Sequence, residues 1–285
     1  MENILVTGVN GQLGHDVVLE LEKREIPCKG VDVEDFDITD AKQTEDYIRR
    51  FQPTAVIHCA AYTNVNGAEE NEDICRKVNV EGTKNIAEAC KYLKSKLIYV
   101  STDYVFDGKG EAPHNVDDPT GPLNVYGKTK LEGEEAAKTN PKTFVVRTSW
   151  VYGLNGNNFV KTMLALGKKK NELNVVADQI GSPTYTKDLA KLLADMSLTT
   201  KYGTYHATNE GYCSWAQFAQ AIMAGANLTC RIVPVYTISY PSAAKRPLNS
   251  RLSKVCLDFA SFQRLPKWQN ALSRYLVELD ENGEL

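Results

Sequence analysis

The 285-residue chain predicts an α/β fold: a doubly wound parallel sheet followed by a smaller C-terminal lobe. Three observations carry this reading. Short apolar runs rich in β-branched residues alternate with longer helical patterns through the first half. A glycine-rich turn joins the first run to the first helical pattern, and past residue 150 the alternation loosens into helices separated by short strands. Strand–helix alternation of this kind buries a parallel sheet between two layers of helices.

The strands are read at "NILVTG", "PCKGVDV", "TAVIHCA", "KLIYVST" and "TFVVRTS", each short and bounded by turn or polar residues. Between them the spacing predicts helices over 12–25, 41–51, 71–93 and 125–139. In the second half "NNFVKTMLALGKK", "TKDLAKLLADMS", "SWAQFAQAIMAGA" and "PKWQNALSRYLVEL" read as helices, with short strands near "LNVVAD", "GTYHAT" and "RIVPV". "SYPSAAKRPLNSRLS" reads as a polar, proline-bearing loop. The division expected is a dinucleotide-binding domain over 1–150 and a lobe over 151–285, with some segments of the second half returning to the first domain.

Composition narrows the function classes. Hydrophobic residues make up 42% and charged residues 24%, the balance of an ordinary globular protein. A net charge of -3 with no basic block argues against nucleic acid as a partner. No run approaches the ~18 apolar residues of a membrane span, and "MEN" leads straight into a strand, so a cytoplasmic protein is expected. The seven cysteines are dispersed and never spaced C-x-x-C, which predicts reduced thiols. The four histidines form no local cluster, and no metal is expected.

Within "VTGVNGQLG", Gly8, Gly11 and Gly14 sit at the first strand–helix junction, spaced G-x-x-G-x-x-G. A pyrophosphate needs this construction: a tight turn, close backbone approach, and N–H groups at the positive end of a helix dipole. An acidic residue ~20 residues on should take the adenosine ribose, and "GVDVEDFDITD" supplies Asp32, with Asp37 near the adenine. No lysine or arginine immediately follows Asp32 to accept a 2′-phosphate, so the cofactor is NADH or NADPH with a weak lean towards NADH, basic residues elsewhere leaving NADPH open.

Ser101, Thr102, Asp103 and Tyr104 close the fourth strand, at the carboxyl edge where open α/β sheets bind ligands. Ala60 and Ala61 end the third and leave room for a flat cofactor. In "NVYGKTKLEGE" the i,i+4 spacing puts Tyr126 and Lys130 on one helical face and leaves Lys128 elsewhere, facing Glu132. A phenol with a pKa of ~10 is a poor acid–base group at neutral pH, and a neighbouring ammonium and a cationic oxidised nicotinamide are both expected to favour its phenolate. Taken alone, the stretch could also be a solvated helix.

Together these motifs resemble the extended short-chain dehydrogenase/reductases. Further segments, among them "STDYVFDG", "VRTSWVYG", "VADQIGSPTYTKDLA" and "RPLNSRL", resemble the dTDP-4-dehydrorhamnose reductases in particular. The resemblance implies a Rossmann-type domain and NAD(P)H-dependent reduction of the 4-keto group of dTDP-4-dehydro-β-L-rhamnose. It implies a catalytic set of Thr102, Tyr126 and Lys130. The implied cofactor contacts are Gly8, Asn10, Gly11, Gln12, Leu13, Gly14, Asp32, Asp37, Ile38, Ala60, Ala61, Tyr62, Tyr126 and Lys130. The implied contacts to the dTDP-sugar are Thr102, Asp103, Tyr104, Trp150 and Arg246, the arginine on the diphosphate.

The chain departs from that pattern at Asn66 and Gly67, where an Asp–Lys pair is usual; where some members use an acidic residue just after the glycine turn in a magnesium-linked dimer, it has Asp16, shorter than a glutamate and without convincing partners in the sequence. A monomer or homodimer is expected. The rival readings are a regulatory binding protein resembling the β subunit of methionine adenosyltransferase, and a nucleotide-sugar epimerase or dehydratase.

Overall fold

In the computed structural model, which describes residues 2–240 and 242–285, six strands form one parallel sheet in the order β10-β5-β4-β3-β1-β2. Pro241, within the polar loop, lies outside the described residues. Strands β1 (Ile4–Thr7), β2 (Cys28–Val31) and β3 (Ala55–His58) alternate with α1 (Gln12–Lys23) and α2 (Ala41–Phe51). Both β1 and β3 are buried along their whole length, as parallel strands covered on two faces must be.

The helix expected over 71–93 is a composite: α3 (Val65–Glu70), α4 (Glu72–Arg76), a π-helical stretch (Lys77–Gly82) and α5 (Thr83–Leu93). It starts early because the Asn64 side chain caps α3 by accepting from Gly67 N–H. Within the π-helical stretch Asn79 turns inward, accepting from Tyr62 N–H (2.8 Å) and donating to Thr129 Oγ1 (3.1 Å). A 3.6-residue periodicity carries no signal for that extra residue.

Next come β4 (Lys96–Thr102), α6 (Val125–Lys138), β5 (Thr143–Thr148) and the short β6 (Val151–Tyr152). After α7 (Phe159–Gly167) the chain forms β7 (Glu172–Val176), β8 (Ile180–Gly181), β9 (Thr184–Tyr185), α8 (Thr186–Ser197) and β10 (Gly203–His206). It ends with β11 (Cys213–Ser214), α9 (Trp215–Gly225), β12 (Arg231–Val235), α10 (Val255–Phe259) and α11 (Trp268–Glu281).

Alternate residues of the sheet face opposite layers. Ile4, Val6, Ile57 and Val146 pack with Val17 and Leu21 of α1 and Leu189 and Leu193 of α8. On the other face Leu5, Val56, Leu97 and Val145 meet Ile48, Ile86 and Ala137 of α2, α5 and α6. A separate apolar cluster joins Leu164, Val175, Phe218, Ile222, Leu272 and Tyr275 from α7, β7, α9 and α11. The neighbours of β1 are β2 on one side and β3 on the other, so the strand order reverses there. A crevice opens above the carboxyl ends at such a switch point.

Candidate active site

A cavity of about 770 Å³ occupies this crevice. Its wall includes Gly8, Asn10, Gly11, Gln12, Leu13, Gly14, Asp32, Asp37, Ile38, Ala60, Ala61, Thr102, Asp103, Tyr104, Tyr126, Lys130 and Trp150. Two expected contacts lie outside it. Tyr62 packs behind Tyr126 in a small apolar cluster with Ala68, Cys75 and Val125. Arg246 stands behind Tyr104, donating to its hydroxyl (3.2 Å).

The glycine turn is a cradle that side chains would fill. Gly8 has φ +75°, and a Cβ there would lie 2.6 Å from the Ala60 nitrogen. A Cβ on Gly14 would lie 2.3 Å from the Gly8 carbonyl. The shape and the helix N-terminus fit a dinucleotide pyrophosphate. Asp32 braces the turn by accepting from Asn10 N–H (2.8 Å), and each of its oxygens keeps a lone pair for a ribose. Gln12 braces it from the other side: Oε1 accepts from Gly153 N–H (2.9 Å) and Asn158 Nδ2 (3.0 Å).

The helix carrying Tyr126 and Lys130 is fixed at its start. Asn124 caps α6 by accepting from Gly127 N–H (2.8 Å), while Glu69 accepts from Val125 N–H (2.8 Å). A Cβ at Gly127 would lie 2.3 Å from the Tyr104 carbonyl, and one at Gly133 would lie 2.3 Å from the Tyr99 hydroxyl. The two glycines let α6 press against the sheet end, which repays the ~1 kcal/mol each costs in a helix interior. Lys130 is 3% exposed, whereas Lys128 is in solvent. Glu132, expected opposite Lys128, pairs instead with Arg76.

Lys130 Nζ donates to the Val100 carbonyl (2.7 Å) and sits 4.1 Å from the centroid of the Tyr99 ring. Burial drives its pKa down to about 7, against the charge of Glu134, which favours the ammonium. Below it His58 is neutral. Thr83 Oγ1 donates to the Asn79 carbonyl and so accepts from His58 Nε2, leaving Nδ1 to accept from Thr7 Oγ1 (2.8 Å). Burial, then the Lys130 charge, lowers the histidine to about 3.

Tyr126 departs from the sequence-based expectation of a favoured phenolate. Burial raises its pKa, only partly opposed by the Thr102 hydroxyl. The phenol therefore keeps its proton at neutral pH. Thr102 Oγ1 accepts from Tyr104 N–H (3.2 Å) and contacts Asp103 Oδ1 at 3.2 Å. Asp103 is 3% exposed with its second oxygen unpartnered among the described residues, and burial raises its pKa to about 7, opposed in part by the nearby Ser250 and Thr102 hydroxyls.

Trp150 adopts φ +50°, an uncommon conformation for a bulky residue. Its ring stacks on Trp215 at 3.6 Å between centroids and 12° between planes, and both indoles line the cavity. Trp215, at the start of α9, was not singled out from the sequence. The Ser214–Gln217 capping box before it marks a helix start and carries no signal of a ligand wall. Thr148, Ser149 and Asn157 likewise join the wall unheralded.

The sequence model described as "RmlD substrate binding domain" matches residues 1–281. A dTDP-4-dehydrorhamnose reductase of Aggregatibacter actinomycetemcomitans is 41% identical, covering 95% of this chain and 97% of the relative. This chain belongs to the dTDP-4-dehydrorhamnose reductase family. The spore coat polysaccharide biosynthesis protein SpsK of Bacillus subtilis is 39% identical over 98% of both chains. The solved dTDP-4-dehydrorhamnose reductase of Bacillus anthracis, in complex with NADP, superposes with a TM-score of 0.95 at 42% identity, covering 97% of this chain and 99% of that one.

Asn66 and Gly67 both have defined surroundings. Asn66 Oδ1 accepts from Ser242 Oγ (2.9 Å), Ala244 N–H (3.4 Å) and Arg246 Nη2 (3.4 Å), tying the 242–246 loop to α3. A Cβ at Gly67 would lie 2.8 Å from the Tyr62 hydroxyl. Asp16 is buried and accepts from the Thr186 hydroxyl. Among the described residues no helix is long and apolar enough to cross a membrane.

Proposed function

We propose that this chain reduces the 4-keto group of dTDP-4-dehydro-β-L-rhamnose to give dTDP-L-rhamnose, using NADH or NADPH. The observation that carries the reading is the convergence of Thr102, Tyr126 and Lys130 on the cavity that the glycine turn also lines. The turn, Asp32 and the small residues Ala60 and Ala61 hold the dinucleotide, whose reduced nicotinamide supplies the hydride when bound. Thr102 hydrogen-bonds the substrate carbonyl. Tyr126 keeps its proton until negative charge develops on that oxygen and then delivers it. The Lys130 ammonium stabilises the phenolate left behind.

The lobe built on α7, α9 and α11 holds the sugar nucleotide, with the Trp150–Trp215 stack facing the hexose. Among the described residues of the cavity wall, Lys130 is the sole basic side chain, while Asp32 and Asp37 sit near the adenosine end. A 2′-phosphate would meet carboxylates there, which supports a preference for NADH. We place the protein in the cytoplasm as a monomer or homodimer.

The test is to mix purified protein with each reduced cofactor and the 4-keto sugar nucleotide. Stoichiometric loss of reduced-nicotinamide absorbance, faster with NADH, is expected. Loss with neither cofactor would return the chain to the regulatory reading. The buried Asp103 also suits a dehydratase, which regenerates its cofactor internally; loss of water from a 4-hydroxy sugar nucleotide to give a 4-keto product, without net cofactor consumption, would establish that alternative.

A further inference from the structure

One buried carboxylate touches every element that carries the proposed triad. Glu134 lies on α6, one helical turn beyond Lys130 and two beyond Tyr126, and is fully buried. Its Oε1 accepts from Ser101 Oγ (2.6 Å), the residue before Thr102 on β4, and from Arg147 Nε (2.8 Å) on β5. Its Oε2 accepts from Arg147 Nη2 (2.8 Å). Arg147 is itself 4% exposed and precedes Thr148 of the cavity wall. A bidentate pair of this kind fixes orientation as well as distance.

We propose that Glu134 is a positioning residue of this site: its buried carboxylate sets the register of α6 against the ends of β4 and β5, and its charge holds Lys130 as the ammonium. This rests on the reduction proposed above. It goes beyond that reading, because Glu134 lies outside the cavity wall.

The charged and titratable groups around the pair define what else could act. Glu134 faces Arg147 from β5, with His206 of β10 behind the guanidinium (3.5 Å), Lys138 at 3.8 Å on its own helix, and Tyr99 from β4. Lys130 faces His58 and Cys59 from β3 and its end, Tyr99 from β4 and Cys75 from α4, with Tyr126 one turn back on α6. Beyond these, Asp103 and Tyr104 face Tyr126 from the turn after β4. Glu134 is the largest of the influences that favour the charged lysine.

Two variants test this, Glu134→Gln and the neutral pair Glu134→Gln/Arg147→Met, the second removing the charge without stranding a buried guanidinium. Lysine labelled with ¹³C at Cε reports Lys130 directly, its resonance assigned by its loss in Lys130→Met. In folded Glu134→Gln or in the double variant, we expect the Lys130 titration and the alkaline limb of kcat to move acidic together by about one pH unit, with dinucleotide Kd little changed. A wild-type Lys130 titration in a folded double variant would overturn the proposal. So would failure of both variants to fold, since the carboxylate would then be a requirement of the fold rather than of the site. The lysine titration needs no turnover, so its outcome is separable from failure of the reductase reading.

Discussion

Asp103→Asn should make the protein more stable at alkaline pH while damaging its site. The carboxyl is buried, its second oxygen has no partner among the described residues, and its pKa is raised from 3.8 to about 7. The sign follows from linkage. The unfolded chain releases this proton near pH 4 and the folded chain only near pH 7, so folding is penalised progressively across that window and fully above it. A displacement of about three pKa units corresponds to roughly 4 kcal/mol at ~1.36 kcal/mol each. The amide removes that penalty but puts an unpartnered N–H₂ where the free oxygen was, a pH-independent cost of about 1–3 kcal/mol.

The variant should therefore be less stable than the parent near pH 4 and more stable, by about 1–3 kcal/mol, at pH 8. Equilibrium urea unfolding of both ligand-free proteins at several pH values measures this. Other shifted groups, His58 and Lys130 among them, titrate in both proteins and cancel in the difference. A difference in unfolding free energy that stays flat within about 1 kcal/mol from pH 4 to 8 would refute the reasoning.

Lys130→Met should nearly abolish turnover with the fold intact, whereas exposed Lys128→Met should keep most activity; equal losses would undo the assignment of Lys130 to the site. The same Lys130 change should stabilise the fold below pH 7, where the parent must bury a charge, and lose that advantage as pH rises towards 10, which calorimetry at both pH values would reveal. Gly14→Ala drives a Cβ against the Gly8 carbonyl, an overpacking cost of about 1–3 kcal/mol, and should weaken dinucleotide binding about ten- to hundredfold by titration calorimetry. Trp215→Ala removes the partner of Trp150; the expected result is a rise of about tenfold in KM for the sugar nucleotide with kcat changed less, and an unchanged KM would exclude the stack from the substrate wall.

Legibility followed the range of the interaction. Strands β1, β3, β4 and β5 stand out because a parallel strand covered on both faces must be apolar along its length. The shared face of Tyr126 and Lys130 follows from one helical turn, and both do line one cavity. The composite α3–α5 segment was hidden because its break depends on Asn79 reaching Tyr62 and Thr129, contacts distant in the chain. Trp215 was hidden for the same reason, since its stacking partner Trp150 lies on another element. Glu134 read only as the end of a charged helix; nothing local announces that Ser101 and Arg147 will bury it.

The same distinction explains why the tyrosine moved opposite to expectation. Spacing along a helix reveals a neighbouring cation but not how much water either group keeps, and here burial governs both, raising Tyr126 and lowering Lys130. For a reduction this is the useful direction. A group that must donate a proton has to hold it in the resting enzyme, and an alkoxide is a stronger base than even a destabilised phenolate, so transfer stays downhill. The demand then passes to the phenolate, which needs a cation in place at the moment it forms. A lysine titrating near neutrality supplies that cation only if something keeps it protonated, and Glu134, beneath it on the same helix, carries the charge that does so.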